Sequence, residues 1–182
     1  MNARELQQAV MKDLESLFSG DRYKTPIRTM EPIKAYAQQL PKFDAQEIDD
    51  FFPYAIVRID KGGVENQTSP HKVDIMIIVG IFDDGTEPYA GEKENPEPGE
   101  QPSFIGEDGW DNRNFGNMAV LEAIERIQSH YEMEPSLGNG KFYFDGPFHW
   151  AMQDEDSYPY YFGICEMSFT LAAPRKKESQ FV

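Results

Sequence analysis

Four acidic groupings are where this chain could first do chemistry: Asp49-Asp50, Asp83-Asp84, Glu107-Asp108 and Asp154-Glu155-Asp156. Neighbouring carboxylates can divide acid and base roles or hold a divalent cation. All four lie in turn-forming or acidic stretches, where runs of charge are ordinarily solvated. None has the alternating acidic loop with a closing glutamate that calcium loops use. His71, His130 and His149 are widely spread, without a cysteine or second histidine at metal-ligand spacing. His149 beside Trp150 could act as a base, but an alternating strand gives such a histidine a structural role. No serine or cysteine stands in a nucleophile elbow, and the glycines of "KGGVEN" and "LGNGK" suit hairpins better than phosphate cradles. Cys165, the only cysteine, sits in an apolar alternating run and reads as a buried thiol. The expectation is a chain with no enzymatic activity, no catalytic or metal-ligating residues and no cofactor.

A different chemistry is offered by aromatic residues. Trp150, Tyr158, Tyr160 and Tyr161 crowd the stretch around "QDEDSYPYYFGIC". Such rings could stack a sugar or a base. They equally suit core and protein interface, where aromatic side chains are enriched. These four are the candidate interface residues.

The bulk properties narrow the partners. With 182 residues the chain suits one domain, long enough to bury a core without staples. Its 32 acidic and 17 basic residues leave a net charge of −15. Phosphate backbones and anionic membranes both require positive charge, so neither a specific nucleic acid nor a membrane is expected as partner. Arg4, Glu5, Lys12 and Asp13 argue against a signal peptide. The strongest apolar run, from Ile75 to Phe82, is too short to span a bilayer. A soluble protein made in a reducing compartment is expected.

The elements that must position these residues follow from periodicity. Leu6, Val10, Leu14 and Leu17 recur at helical steps before Gly20. Three prolines (Pro26, Pro32, Pro41) then impose an irregular connector with a short helix or strand over 33–40. Residues 54–60 alternate as a strand, Ala55, Val57 and Ile59 facing one way and Tyr54, Ile56 and Arg58 the other. Val73, Ile75, Ile77, Val79 and Ile81 make the next strand, whose second face is also partly apolar and therefore needs cover on both sides. Residues 83–111 are rich in acid, proline and glycine and read as an exposed insertion, with Phe104, Ile105 and Trp110 anchoring its far end. A second helix follows, capped by Asn117, with Val120, Leu121, Ile124, Ile127 and Tyr131 inward. A final hairpin spans 141–174, and 175–182 form a polar tail. The sum is one α+β domain: a four-stranded, mainly antiparallel sheet with both helices on one face.

Three pieces in this order resemble a known family. They are "YAQQLPKFD" with "DDFFPYAIVRIDKG", then "VDIMIIVGIFDD" with "NMAVLEAIERI", and then "FYFDGPFHWAMQDEDSYPYYFGICEMSFTLAAP". The chain resembles the tail terminator, or tail completion, proteins of long-tailed bacteriophages and prophages. It departs from them at 83–111, where relatives have a short bend. The resemblance implies a structural virion protein in the tail or neck, present in the bacterial host cytoplasm during assembly. Its partners would be the tail tube protein, head connector or neck proteins and copies of itself. It would form a ring, hexameric on the tail and monomeric before assembly. No catalytic residue comes with the family. Another head–tail joining protein, a small carbohydrate- or ligand-binding module using the aromatic residues, and a metal-dependent hydrolase using the acidic turns are the alternatives.

Overall fold

The computed structural model describes residues 2–41, 48–65, 69–85, 115–155 and 157–171. The order is α1 (Ala3–Leu17), β1 (Tyr23–Lys24), β2 (Met30–Glu31), β3 (Lys34–Ala37), a 3-10 turn (Ile48–Phe51), β4 (Tyr54–Gly63), β5 (His71–Phe82), α2 (Phe115–Met133), β6 (Ser136–Leu137), β7 (Phe142–Met152) and β8 (Tyr160–Leu171). The class is α+β. The sheet, however, has six strands in the order β3-β4-β5-β8-β7-β6, curled like a half-barrel, where four were expected. The four expected strands form its antiparallel centre. Two short strands extend it. β3 joins β4 in parallel, and β6 pairs with the start of β7. β1 and β2 form a separate ribbon.

The middle of the sheet is set by β5 and β8, which pair without interruption from His71↔Leu171 to Phe82↔Tyr160. Strand alternation sends Val73, Ile75, Ile77 and Val79 to the same face as Cys165, Met167 and Phe169. That face carries both helices in one core. α1 brings Leu6, Val10, Leu14 and Phe18; α2 brings Val120, Ala123, Ile124, Ile127 and Tyr131. Leu121, expected inward, is only half-buried, and Ala123 takes the buried place between Val120 and Ile127. Asn117 is no cap, because α2 begins two residues earlier at Phe115. Asn2 does cap α1, its side chain accepting the Glu5 N–H at 2.9 Å. Cys165 is fully buried, as expected, and burial raises its thiol pKa.

Polar contacts lock the helices in place. The Gln7 amide of α1, buried, donates to the Val57 carbonyl at 2.7 Å. His130 Nε2 of α2 lies 2.8 Å from Asp13 Oδ2 of α1. Arg126 reaches the end of α1, donating to the Leu17 carbonyl at 3.1 Å, pairing with Asp21 and lying over the Phe18 ring.

Close approach explains one glycine. A Cβ on Gly163 would stand 2.6 Å from Val120 Cγ1 and 2.7 Å from Ile124 Cδ1, so at this point α2 lies against β8 too closely for a side chain. Gly163→Ala is therefore expected to cost roughly 1–3 kcal/mol, the usual range for overpacking. Urea unfolding checks it: the midpoint should fall with an unchanged slope. Cys165 gives a second check. Its native labelling by a thiol reagent should be slow and should become immediate in denaturant.

Candidate functional site

The helices leave the other face of the sheet to itself, and two regions divide it. At one end an aromatic cluster closes over the strands. The 3-10 turn and the entry to β4 place Phe51 and Phe52 there, with Tyr54, Ile56 and Phe82 buried beneath and beside them. The Phe52 ring centroid lies 4.9 Å from that of Tyr54, 5.1 Å from Tyr160 and 5.9 Å from Phe162. Tyr36 of β3 meets Phe51 edge-on at 5.7 Å. This second small core went unread in the sequence, although "FFPY" ahead of an alternating strand carried the signal.

Beyond the cluster the face is open. Register aligns Ile56, Ile78, Ile164 and Ala151 across four strands. Ile78 and Ile164 are half-buried and Ala151 is exposed. The next row is Arg58, Met76, Glu166 and His149. A cleft of about 240 Å³ opens there, lined by Asp60, Lys61, Asp74, His149, Glu166 and Ser168 among others. Three of its polar groups are bonded together. Ser168 Oγ donates to Asp74 Oδ1 at 2.6 Å, and Lys61 Nζ stands 3.4 Å from Asp74 Oδ2. Ser168 is thus engaged with a carboxylate and is not aimed at a histidine. His149 is exposed opposite Glu166. Further along, Lys72 Nζ and Asp145 Oδ2 pair at 2.8 Å, and Thr170 donates to Asp145 at 3.0 Å. The mutual hydrogen bond raises the lysine pKa and lowers that of the aspartate. Among the described residues no group of three or more histidine, cysteine or acidic side chains is disposed to hold a metal, and no helix is long and apolar enough to cross a membrane.

The four candidate interface aromatics do not form one surface. Tyr161 is buried on the helical face, so close to α2 that a Cβ on Gly116 would meet its ring at 2.0 Å. Tyr160 faces the opposite way and packs on Phe52 and Phe82. Tyr158 is exposed, its hydroxyl donating to the Asp84 carbonyl at 2.8 Å. Trp150 is half-exposed on β7 and, paired with Cys165, belongs to the helical face. Alternation in a strand forces Tyr160 and Tyr161 apart.

The acidic pairs also separate. Asp83 and Asp84 are not free turn carboxylates. Lys24 Nζ lies 2.8 Å from Asp83 and 3.5 Å from Asp84, tying the β1–β2 ribbon to the end of β5. Asp50, Asp154 and Glu155 are exposed. Glu107-Asp108 and most of the 83–111 insertion, with Phe104, Ile105 and Trp110, lie outside the described residues, as does the 175–182 tail.

Compared with models of protein families and with curated proteins, the chain matches none.

Burial in the aromatic cluster makes a pH prediction. Tyr54 has its pKa pushed from 10.0 up to about 12 by burial. A raised folded-state value contributes stability that is complete below the unfolded value and is lost as pH rises through the folded one. Stability should therefore fall between pH 10 and about 12, and Tyr54→Phe should flatten part of that fall. Denaturation midpoints across this range measure it.

Proposed function

We propose that this chain is a structural virion subunit of the tail terminator kind. It caps a finished tail tube, forms a ring with copies of itself, hexameric on the tail and monomeric before assembly, and offers the surface that the head connector joins. It is not an enzyme, needs no cofactor, and works in the tail or neck of the virion. One observation carries this reading: the sheet is packed by helices on one face only. The other presents half-buried Ile78 and Ile164 beside exposed Ala151. A sheet face that no helix covers, with apolar side chains only partly buried, is open to association, and repeated copies can cover it by symmetry. The order of the three sequence pieces supports the same reading. In the cleft on this face the serine and the lysine are both bonded to Asp74.

A neck or head–tail joining protein would use the same face. A carbohydrate-binding module has less support, because Trp150, Tyr158, Tyr160 and Tyr161 point in different directions. The net charge of −15 fits a ring through which duplex DNA slides without sticking.

The test is tube capping. Full-length chain added to tail tubes should appear by electron microscopy as a ring at one end. Ala151→Lys, which places a charge on the uncovered face at an exposed position, should leave the melting temperature within about 2 °C, as for a surface change within about 0.5 kcal/mol, and abolish capping. Binding along the whole tube, or none at all, would overturn the proposal.

A further inference from the structure

The two edges of the sheet differ. At the β3 edge, α1 supplies a substitute partner, Ala35 N–H donating to Glu15 Oε1 at 3.2 Å, and a local turn satisfies the Ala37 carbonyl, which accepts from Gln39 N–H. At the β7 edge, β6 reaches only Phe142 and Tyr143, and Phe144 N–H donates to the Pro135 carbonyl. Past the bulge between Phe144 and Phe148, β7 has no outer neighbour among the described residues. Gln153 N–H donates inward to the Phe162 carbonyl. Alternation then turns the backbone groups of His149 and Ala151 inward and those of Phe148, Trp150 and Met152 outward. Residues 148–152 carry none of the lysines or prolines that blunt a free edge. After one further residue, Gln153, come the exposed carboxylates Asp154 and Glu155.

Residues 172–182 follow β8 and contain the densest basic run of this acidic chain, Arg175-Lys176-Lys177, followed closely by Phe181-Val182. The spacing from Trp150 to Glu155 equals that from Lys176 to Phe181. We propose that the segment 175–182 of a second copy of this chain adds to the free edge of β7 as an antiparallel strand, Phe181 opposite Trp150. In that register Lys176 meets Glu155 and Lys177 meets Asp154. One strand satisfies the bare backbone groups, the exposed indole and the acidic turn together, which is the usual economy of strand addition.

The donor is a second copy because geometry forbids the same chain. β8 ends at Leu171, beside Phe142, while Gly163 pairs with Met152 at the other end of β7. That separation along β8 is about 26 Å at about 3.3 Å per residue. Residues 172–174 bridge at most about 14 Å to Arg175 at about 3.5 Å per residue. The contact is head-to-tail, donor segment on one copy and edge on the next, and such contacts close into rings or run on as filaments. As the ring contact of the proposed function it rests on that reading; as self-association it stands on the edge and the segment alone.

Cysteine pairing in the full chain tests it. Trp150→Cys and Phe181→Cys are made as separate variants in a Cys165→Ala background, because Cys165 stands directly opposite position 150 across β7 and β8 and would otherwise compete for the new thiol. Opposed residues of a hydrogen-bonded antiparallel pair stand about 5.5 Å apart at Cα, within disulfide reach. Mixing the two under mild oxidation should give a covalent dimer that neither gives alone. Glu178→Cys in place of Phe181→Cys should give none. Reversing Arg175, Lys176 and Lys177 to glutamate in the Phe181→Cys partner should cut the yield several-fold. A peptide of sequence AAPRKKESQFV should bind the unaltered chain in a salt-sensitive manner, whatever the fold of any variant. No dimer and no peptide binding would overturn the proposal. So would a disulfide that closes within one chain of the double variant while the mixture gives none. Dimers from a chain that fails to cap tubes would keep this contact and remove the terminator reading; capped tubes without dimers would do the reverse.

Discussion

The uninterrupted ladder between β5 and β8 is the constraint on which the rest of the structure depends. Both strands are 12 residues long and pair at every position. Because their register is unbroken, alternation divides their side chains cleanly between two environments. β-Branched residues of β5 and the Cys165, Met167 and Phe169 series of β8 go to the helices. Ile78, Ile164, Asp74, Glu166 and Ser168 go to the uncovered face. A one-residue slip would bury Glu166 and expose Cys165. Each helix then takes its place against what the ladder offers. α2 sits where Gly163 leaves room, and α1 lies over β3 and β4, fixed by Gln7.

That division also makes the molecule one-sided. The helical face is covered within the chain over most of its area, with apolar side chains from both helices and ion pairs at its rim, while Trp150 on β7 stays half-exposed. The opposite face is closed only where Phe51 and Phe52 fold over Tyr54 and Phe82. Its open part mixes half-buried isoleucine with a polar cleft in which Ser168 and Lys61 both meet Asp74. A surface that is neither dry enough for core nor polar enough for bulk solvent suits contact with another protein. The free length of β7 adds a backbone template beside it.

Much of this was legible because strands with one buried face announce themselves. Val73, Ile75, Ile77, Val79 and Ile81 marked β5 and its inward face without ambiguity, and the helical spacing of Leu6, Val10 and Leu14 fixed α1. β3 and β6 were not resolved as sheet members because so few residues carry no period. The parallel partnership of β3 with β4 also depends on a crossover that pattern does not reveal. Trp150, Tyr158, Tyr160 and Tyr161 are divided among different surroundings, and for Tyr160 and Tyr161 the reason is present in the sequence itself: neighbours in a strand cannot share a face. The capture of Asp83 and Asp84 by Lys24 was invisible, since it joins residues far apart in the chain. The uneven edges depended on a single side chain, Glu15, reaching across from a helix to Ala35.

Hydrogen exchange at individual amides tests most directly the claim that this sheet is completed by another copy. The outward N–H groups of Phe148, Trp150 and Met152 should exchange quickly in dilute free chain, while those of Ile77 and Cys165 stay protected. In the proposed rings on tail tubes the three outward amides should slow to the level of the central strands. Protection of Phe148, Trp150 and Met152 already in the dilute monomer, or fast exchange that persists after assembly, would contradict the account.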